Sequence, residues 1–389
     1  MQKTSSGLIQ FSIYPDINFN REEAMKRRDF IKIIGAGALL NPITSIPLFA
    51  DSRRLDFEKW NSFRLTYQVD LPATGKHARL WLPLPNSMSP AYQYTQGNNW
   101  SGTAKTAKFD TCGKEKFPVF TAEWQGDGPR HATIHSIIKT SNHSVNLDYY
   151  RPDAASISPH LKPYLESTNL IPIDKLVKDV AHSITYDKGN TPLEKARAIY
   201  DWLIDHFRHD ETTRGRGKGD VKFMLENNQL KGKCVDAHSL FVGLTRALGI
   251  PARMQYGIRM TESELHSSLG RPTDISTAQH SRAEFYLNNY GWIPVNPADV
   301  CKVAKLENLE LDDPQIERLR EDFFGAWEMN WITFNHEQDI PLPNSRVGKL
   351  PFFLFPHAEI DNQPLDSMDP ENFGYKIIAA ELVGTGAKF

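Results

Sequence analysis

Cys234 is the residue whose setting most directly invites chemistry. It stands in Gly232-Lys233-Cys234-Val235-Asp236, at the head of a run in which Leu240, Phe241, Leu244 and Leu248 recur at helical spacing before Gly249 and Pro251 stop it. A thiol in the first turn of a helix faces unpaired backbone N–H groups and the positive end of the dipole. Both favour the thiolate, and Lys233 adds a neighbouring cation. The same amides can help hold an oxyanion as it forms. Cys112 and Cys301 are widely spaced from Cys234 and read as structural, so at least one of the three thiols stays unpaired.

A cysteine nucleophile needs an imidazole, distant in sequence and close in space. His280 begins the run His280-Ser281-Arg282-Ala283-Glu284-Phe285-Tyr286-Leu287, which turns through Asn288-Asn289-Tyr290-Gly291 into Trp292-Ile293-Pro294-Val295-Asn296-Pro297. A hairpin of this kind can set a histidine beside the group that orients it. Pairing Leu287 with Gly291 puts Arg282 opposite Asn296 and makes 280 and 296 diagonal neighbours on one face. Pairing Leu287 with Trp292 puts His280 opposite Asp299 instead. Pro297 argues that regular pairing stops before Asp299, which favours Asn296 as the orienting residue and leaves Asp299 as the alternative.

Other polar residues read more plainly. His238, one turn after Cys234, could join it in a zinc-dependent hydrolase, but no second close ligand pair accompanies it and local hydrogen bonding is the expected role. His206 and His209-Asp210 fit the solvated end of a helix. Arg214-Gly215-Arg216-Gly217-Lys218-Gly219 lacks the spacing of a phosphate-binding loop and reads as a flexible basic surface loop near the active-site face. Gln229 is a candidate oxyanion donor. No metal and no cofactor are expected.

The elements that must position these residues follow from patterning. Between Phe57 and Tyr150 short alternating runs, such as Phe63–Val69 and His131–Ile138, are punctuated by Pro72, Gly75, Pro83, Pro85 and Gly97, which predicts a small β-sandwich. From about 160 helices appear. Thr191-Pro192-Leu193-Glu194 has the form of a capping box, and Leu193, Ala196, Ile199, Tyr200, Leu203 and Phe207 follow at helical spacing. Strands then follow at 253–260, 281–287 and 292–295, an α+β order.

Three blocks in sequence, Gly232–Asp236 with its Leu-Phe, Arg246-Ala247-Leu248-Gly249-Ile250-Pro251-Ala252-Arg253, and His280 followed by Gly291–Pro297, resemble the transglutaminase-like superfamily over about 190–300. The resemblance implies a papain-like fold, with Cys234 as nucleophile and His280 as base. It also implies acyl transfer on an amide through a thioester, as protease-like hydrolysis or transglutaminase-type transfer, with a protein or peptide substrate. Asn296 departs from the Asp that the family usually carries before Pro; an amide can orient an imidazole but lends it no charge. The rival expectation is a non-catalytic periplasmic binding module retaining the fold.

The expected organisation is an extension and twin-arginine-like export signal over 1–50, a β-rich domain over 56–155, a catalytic core over 160–302 and a C-terminal segment over 303–389 packing on the core. Arg27-Arg28-Asp29-Phe30 precedes a short apolar run, Ile33–Leu40, ending near Pro47-Leu48-Phe49-Ala50, the layout of a signal read by a receptor; this predicts a periplasmic protein with no stable membrane insertion after signal removal. The formal net charge is -2 at pH 7 across 389 residues, so nothing steers the whole chain toward nucleic acid.

Overall fold

Alternation decides the first sheets. In β1 (Trp60–Leu71) Phe63, Leu65, Tyr67 and Val69 point inward and are buried, as a period of two requires for a strand with one face on a core. The computed structural model describes residues 55–87, 91–153, 157–271 and 273–382, so the export-signal reading of 1–50 lies outside the described residues. β2 (His77–Pro83), β3 (Gln93–Gly102), β4 (Thr106–Cys112), β5 (Phe117–Gln125) and β6 (Arg130–Ser141) complete the β-rich region. Two antiparallel sheets share one hydrophobic cluster, with side chains from β1 and β6 meeting those from β2 and β5.

Helices follow. α1 (Lys175–Thr185) is capped by Asp174. α2 (Pro192–His206) carries the expected capping box: Glu194 N donates to Thr191 Oγ1 at 3.2 Å and Thr191 N to Glu194 Oε2 at 2.9 Å. The short α3 (Val221–Glu226) leads to α4 (Cys234–Ala247). Every residue of α4 from Cys234 to Arg246 is buried, so the helix is central rather than amphipathic. It packs against an antiparallel sheet of β7 (Ala252–Arg259), β8 (Gln279–Leu287), β9 (Gly291–Val295) and, from far along the chain, β10 (Trp331–Asn335) in the order β9-β8-β7-β10. Between β9 and β10 lie α5 (Pro297–Glu307) and α6 (Pro314–Asp322).

Residues 303–389, expected to pack on the core, supply a strand to each of the three large sheets. β10 joins the core sheet, β11 (His357–Ile360) pairs with β2, and β12 (Gly374–Glu381) pairs with β1. Ile258, Met260, Ile332 and Phe334 of the core sheet region reach into the same cluster as the sandwich. No helix among the described residues is long and apolar enough to cross a membrane.

Ile377 of β12 sits opposite Tyr67 and is 1% exposed. Ile377→Ala should therefore lower the unfolding free energy by about 2–5 kcal/mol, the usual cost of truncating a buried isoleucine, read as a drop in the urea midpoint.

Candidate active site

The head of α4 is built around Asp236. Its Oδ1 accepts from the N–H of Lys218 at 2.9 Å and of Gly219 at 2.8 Å, and its Oδ2 from the N–H of Lys233 at 3.0 Å. Val235 N donates to Arg216 O at 3.0 Å. The basic loop 214–219, expected to be a flexible surface loop, is thus fastened to the helix that carries Cys234. Gly232 is required here: its φ is +150°, and a Cβ would fall 2.2 Å from Asp236 Oδ2. Burial raises the Asp236 carboxyl above its ordinary range against the pull of the three N–H donors.

His280 is positioned by strand register. It pairs with Gly257 of β7, and Arg259, two residues further on, is its diagonal neighbour. A Cβ on Gly257 would lie 1.8 Å from Ile332 O, so only glycine lets β10 approach there. Trp331 Nε1 reaches from β10 past Gly257 and donates to His280 O at 3.2 Å. His238, one turn beyond Cys234, hydrogen-bonds Ser281 Oγ through Nδ1 at 3.2 Å and meets the His280 ring nearly at right angles, with centroids 6.0 Å apart.

The β8–β9 ladder has the register Leu287 opposite Gly291 and runs to Ala283 opposite Val295, the first of the two expected alternatives. The acid nevertheless comes from Asp299. Pro297 starts α5, with Asn296 as its N-terminal flanking residue, and the first helical turn carries Asp299 back to His280. Asp299 Oδ1 lies 3.5 Å from His280 Nε2. Asn296 stands behind it, donating Nδ2–H to Asp299 Oδ2 at 2.5 Å. The residues weighed as rivals therefore form one chain of contacts, with Asp299 next to the imidazole.

Arg259 was not singled out from the sequence. Its Nη2 lies 2.5 and 2.6 Å from the two oxygens of Asp299 and 3.1 Å from His280 Nε2. Only the antiparallel register of β7 on β8 brings it there, and no local pattern announces that pairing. Burial opposes ionisation of Asp299, but the Arg259 guanidinium overrides it and holds the carboxyl well below the usual range. Burial, reinforced by Arg259, keeps the His280 pKa well below that of a free imidazole.

Cys234 and His280 line the same cavity, about 180 Å³, together with Arg259 and Asp299. His209, read from sequence as part of a solvated helix end, lines it too. Gln229 does not: it is exposed and lines a different cavity of about 510 Å³ beside Asp236 and Phe355, on which Arg216 also opens. His206 stacks on Trp202 and pairs its Nδ1 with Trp202 O at 2.7 Å. Burial raises the Cys112 thiol to about 11 and the Cys301 thiol to about 12. Among the described residues no group of three or more His, Cys, Asp or Glu is placed to hold a metal ion.

A buried helix with a cysteine at its head, packed across an antiparallel sheet that carries a histidine, places the molecule in the α+β class. Residues 178–297 match the model of the Transglutaminase-like superfamily. An uncharacterized protein of Haemophilus influenzae is 31% identical over 377 residues, covering 92% of this chain and 100% of the relative. A crystal structure of a candidate cysteine protease from Cytophaga hutchinsonii aligns over 85% of this chain and 94% of its own, with a TM-score of 0.54 at 11% identity, a likeness of fold. The periplasmic domain of TgpA from Pseudomonas aeruginosa aligns over 66% of this chain and 92% of its own, at 14% identity and a TM-score of 0.33, too distant to carry an argument. The chain belongs to the transglutaminase-like superfamily.

Six histidines, His143, His209, His238, His280, His336 and His357, are held below the ordinary imidazole value, burial being the first cause in each. They stay neutral in the folded protein where an unfolded chain would protonate them, so the stability they hold is present above about pH 6.5 and lost as pH falls. His238, fully buried and pushed down to about 3, alone removes about 1.4 kcal/mol per pH unit below that point. Urea midpoints should fall from pH 7.5 to pH 5; a flat profile across that range contradicts neutral burial.

Proposed function

We propose that the protein is a cysteine-dependent acyl-transfer enzyme that cleaves an amide bond through a thioester. The observation that carries this is the shared cavity of Cys234 and His280, with Asp299 behind the imidazole. With the Nε2–H of His280 directed to Asp299, Nδ1 is left unprotonated and able to take the thiol proton. The Cys234 proton passes to His280 as Sγ attacks the carbonyl carbon. The C–N bond breaks and the imidazole returns that proton to the leaving amine. Water, giving up a proton to His280, then cleaves the thioester to a carboxylic acid and the free thiol. The backbone N–H of Cys234 at the head of α4 is the proposed donor for the oxyanion, and Gln229, which lines a different cavity, is not needed. Hydrolysis is preferred over cross-linking, and a peptide or protein is the substrate class.

Iodoacetamide at neutral pH should alkylate Cys234 and spare Cys112 and Cys301, whose buried thiols stay protonated; peptide mapping by mass spectrometry reads the site. His280→Ala should slow labelling of Cys234, read as a fall in the alkylation rate at neutral pH. Labelling at Cys112 or Cys301 in place of Cys234 would sink the assignment. An unreactive Cys234 favours the non-catalytic binding module.

The amino-terminal reading implies export to the periplasm. Replacing Arg27 and Arg28 together by Lys should leave the protein in the cytoplasm, measured by cell fractionation; unchanged partitioning rules out the twin-arginine route.

A further inference from the structure

The cavity of Cys234 differs in charge from the chain around it. Five basic side chains line it, Arg216, Lys233, Arg259, Arg271 and Lys302, against two acidic ones, Glu211 and Asp299. The chain as a whole has a formal net charge of -2, so the excess is local.

Ion pairing sharpens the contrast. Asp299 is committed to Arg259. Among the described residues, no carboxylate lies within ion-pair distance of Arg216, Lys233, Arg271 or Lys302. Two of these are tethered by neutral acceptors instead: Lys302 Nζ donates to Ser268 O at 2.6 Å, and the Arg216 guanidinium donates to Thr277 O. Such tethers fix the cations in place without neutralising them. Burial and then the Arg259 charge push Lys302 down to about 8; Asp299 opposes this, while Arg271 and Arg216 add to it. The same crowding lowers Arg216, burial first. Cations that repel one another around a cavity, with their acids absent, are stabilised by an anion that enters it. The head of α4 points its dipole toward the same space.

We propose that the substrate is an acidic peptide, whose carboxylate next to the scissile amide is received by Arg216, Arg271 and Lys302 beside Cys234. This rests on Cys234 being the nucleophile and names the substrate class of that site. The carboxylate fills the charge vacancy of the cavity and brings its neighbouring carbonyl to the sulfur. Arg216 also opens on the second cavity, where Phe223, Met224, Phe355 and Met368 offer an apolar wall for the adjoining part of the chain.

Two alkylating agents that differ only in charge test this without a known substrate. In each the thiolate sulfur forms a bond to the CH₂ carbon and iodide leaves, but iodoacetate carries a carboxylate and iodoacetamide a neutral amide. Rates at Cys234 are measured on the full chain at low salt and compared with those of glutathione. Relative to glutathione, iodoacetate should be favoured by about tenfold or more, within the range of electrostatic focusing. The preference should collapse at 1 M salt, where the screening length is about 3 Å. It should also shrink in Arg271→Ala, an exposed position that tolerates truncation, and in Lys302→Met, while Lys178→Met, an exposed lysine on α1, keeps it. If Cys234 is alkylated with the preference of glutathione, the acidic-substrate proposal is overturned and the nucleophile stands. If neither reagent modifies Cys234, both readings fall together.

Discussion

A buried ion pair governs the centre of this molecule. Arg259 and Asp299 meet at 2.5 Å with side chains almost fully out of solvent, 6% and 1% exposed. Taking two charges out of water costs several kcal/mol per ion, which their attraction offsets only with close geometry and further hydrogen bonds. Here the geometry is close, and Asn296 satisfies one carboxylate oxygen. The pair therefore contributes little net stability and fixes a great deal of arrangement. It ties β7 to the first turn of α5, and His280 on β8 is held against both. Removing either partner would leave an uncompensated buried charge beside the imidazole.

That pair also sets the electrostatics of His280. A carboxylate alone would raise the imidazole pKa, but Arg259 sits closer to Nε2 than Asp299 does and works the other way. Burial adds to it, so the resting imidazole is neutral and able to accept a proton. In the proposed mechanism, proton transfer from the thiol creates an imidazolium whose charge Asp299 is placed to meet. Asp236, which lines the neighbouring cavity, plays the structural part: three N–H groups converge on its carboxylate and pin the basic loop to the head of α4. One acid contacts the imidazole; the other fastens the basic loop that carries Arg216 to the head of α4.

The β-rich region and the core are held together by the end of the chain. β12 pairs with β1, β11 with β2 and β10 with β7, so strands remote in sequence cover edges that would otherwise be open. β10 reaches the site itself, because Trp331 grips the backbone of His280. Residues far beyond the motif region therefore bear on the geometry of the base.

The sequence by itself determined what local rules can determine. Alternation in 63–69 marked β1, Thr191 to Glu194 marked the start of α2, and Gly232–Asp236 marked a helix head bearing a thiol. The blocks around Cys234 and His280 marked the family, because each is contiguous. Register on the β8–β9 hairpin was narrowed to two alternatives, because loop length sets it and the sequence left that length open. What followed from it was not legible: the strand was expected to end near Pro297, but the turn of α5 that returns Asp299 to His280 depends on where a helix begins, and it made Asn296 a partner of the acid rather than of the base. Arg259, Arg271 and Lys302 meet at one cavity through strand pairing and helix packing between segments tens of residues apart. No pattern in a single stretch of chain encodes such a meeting; only burial of the shared core selects it.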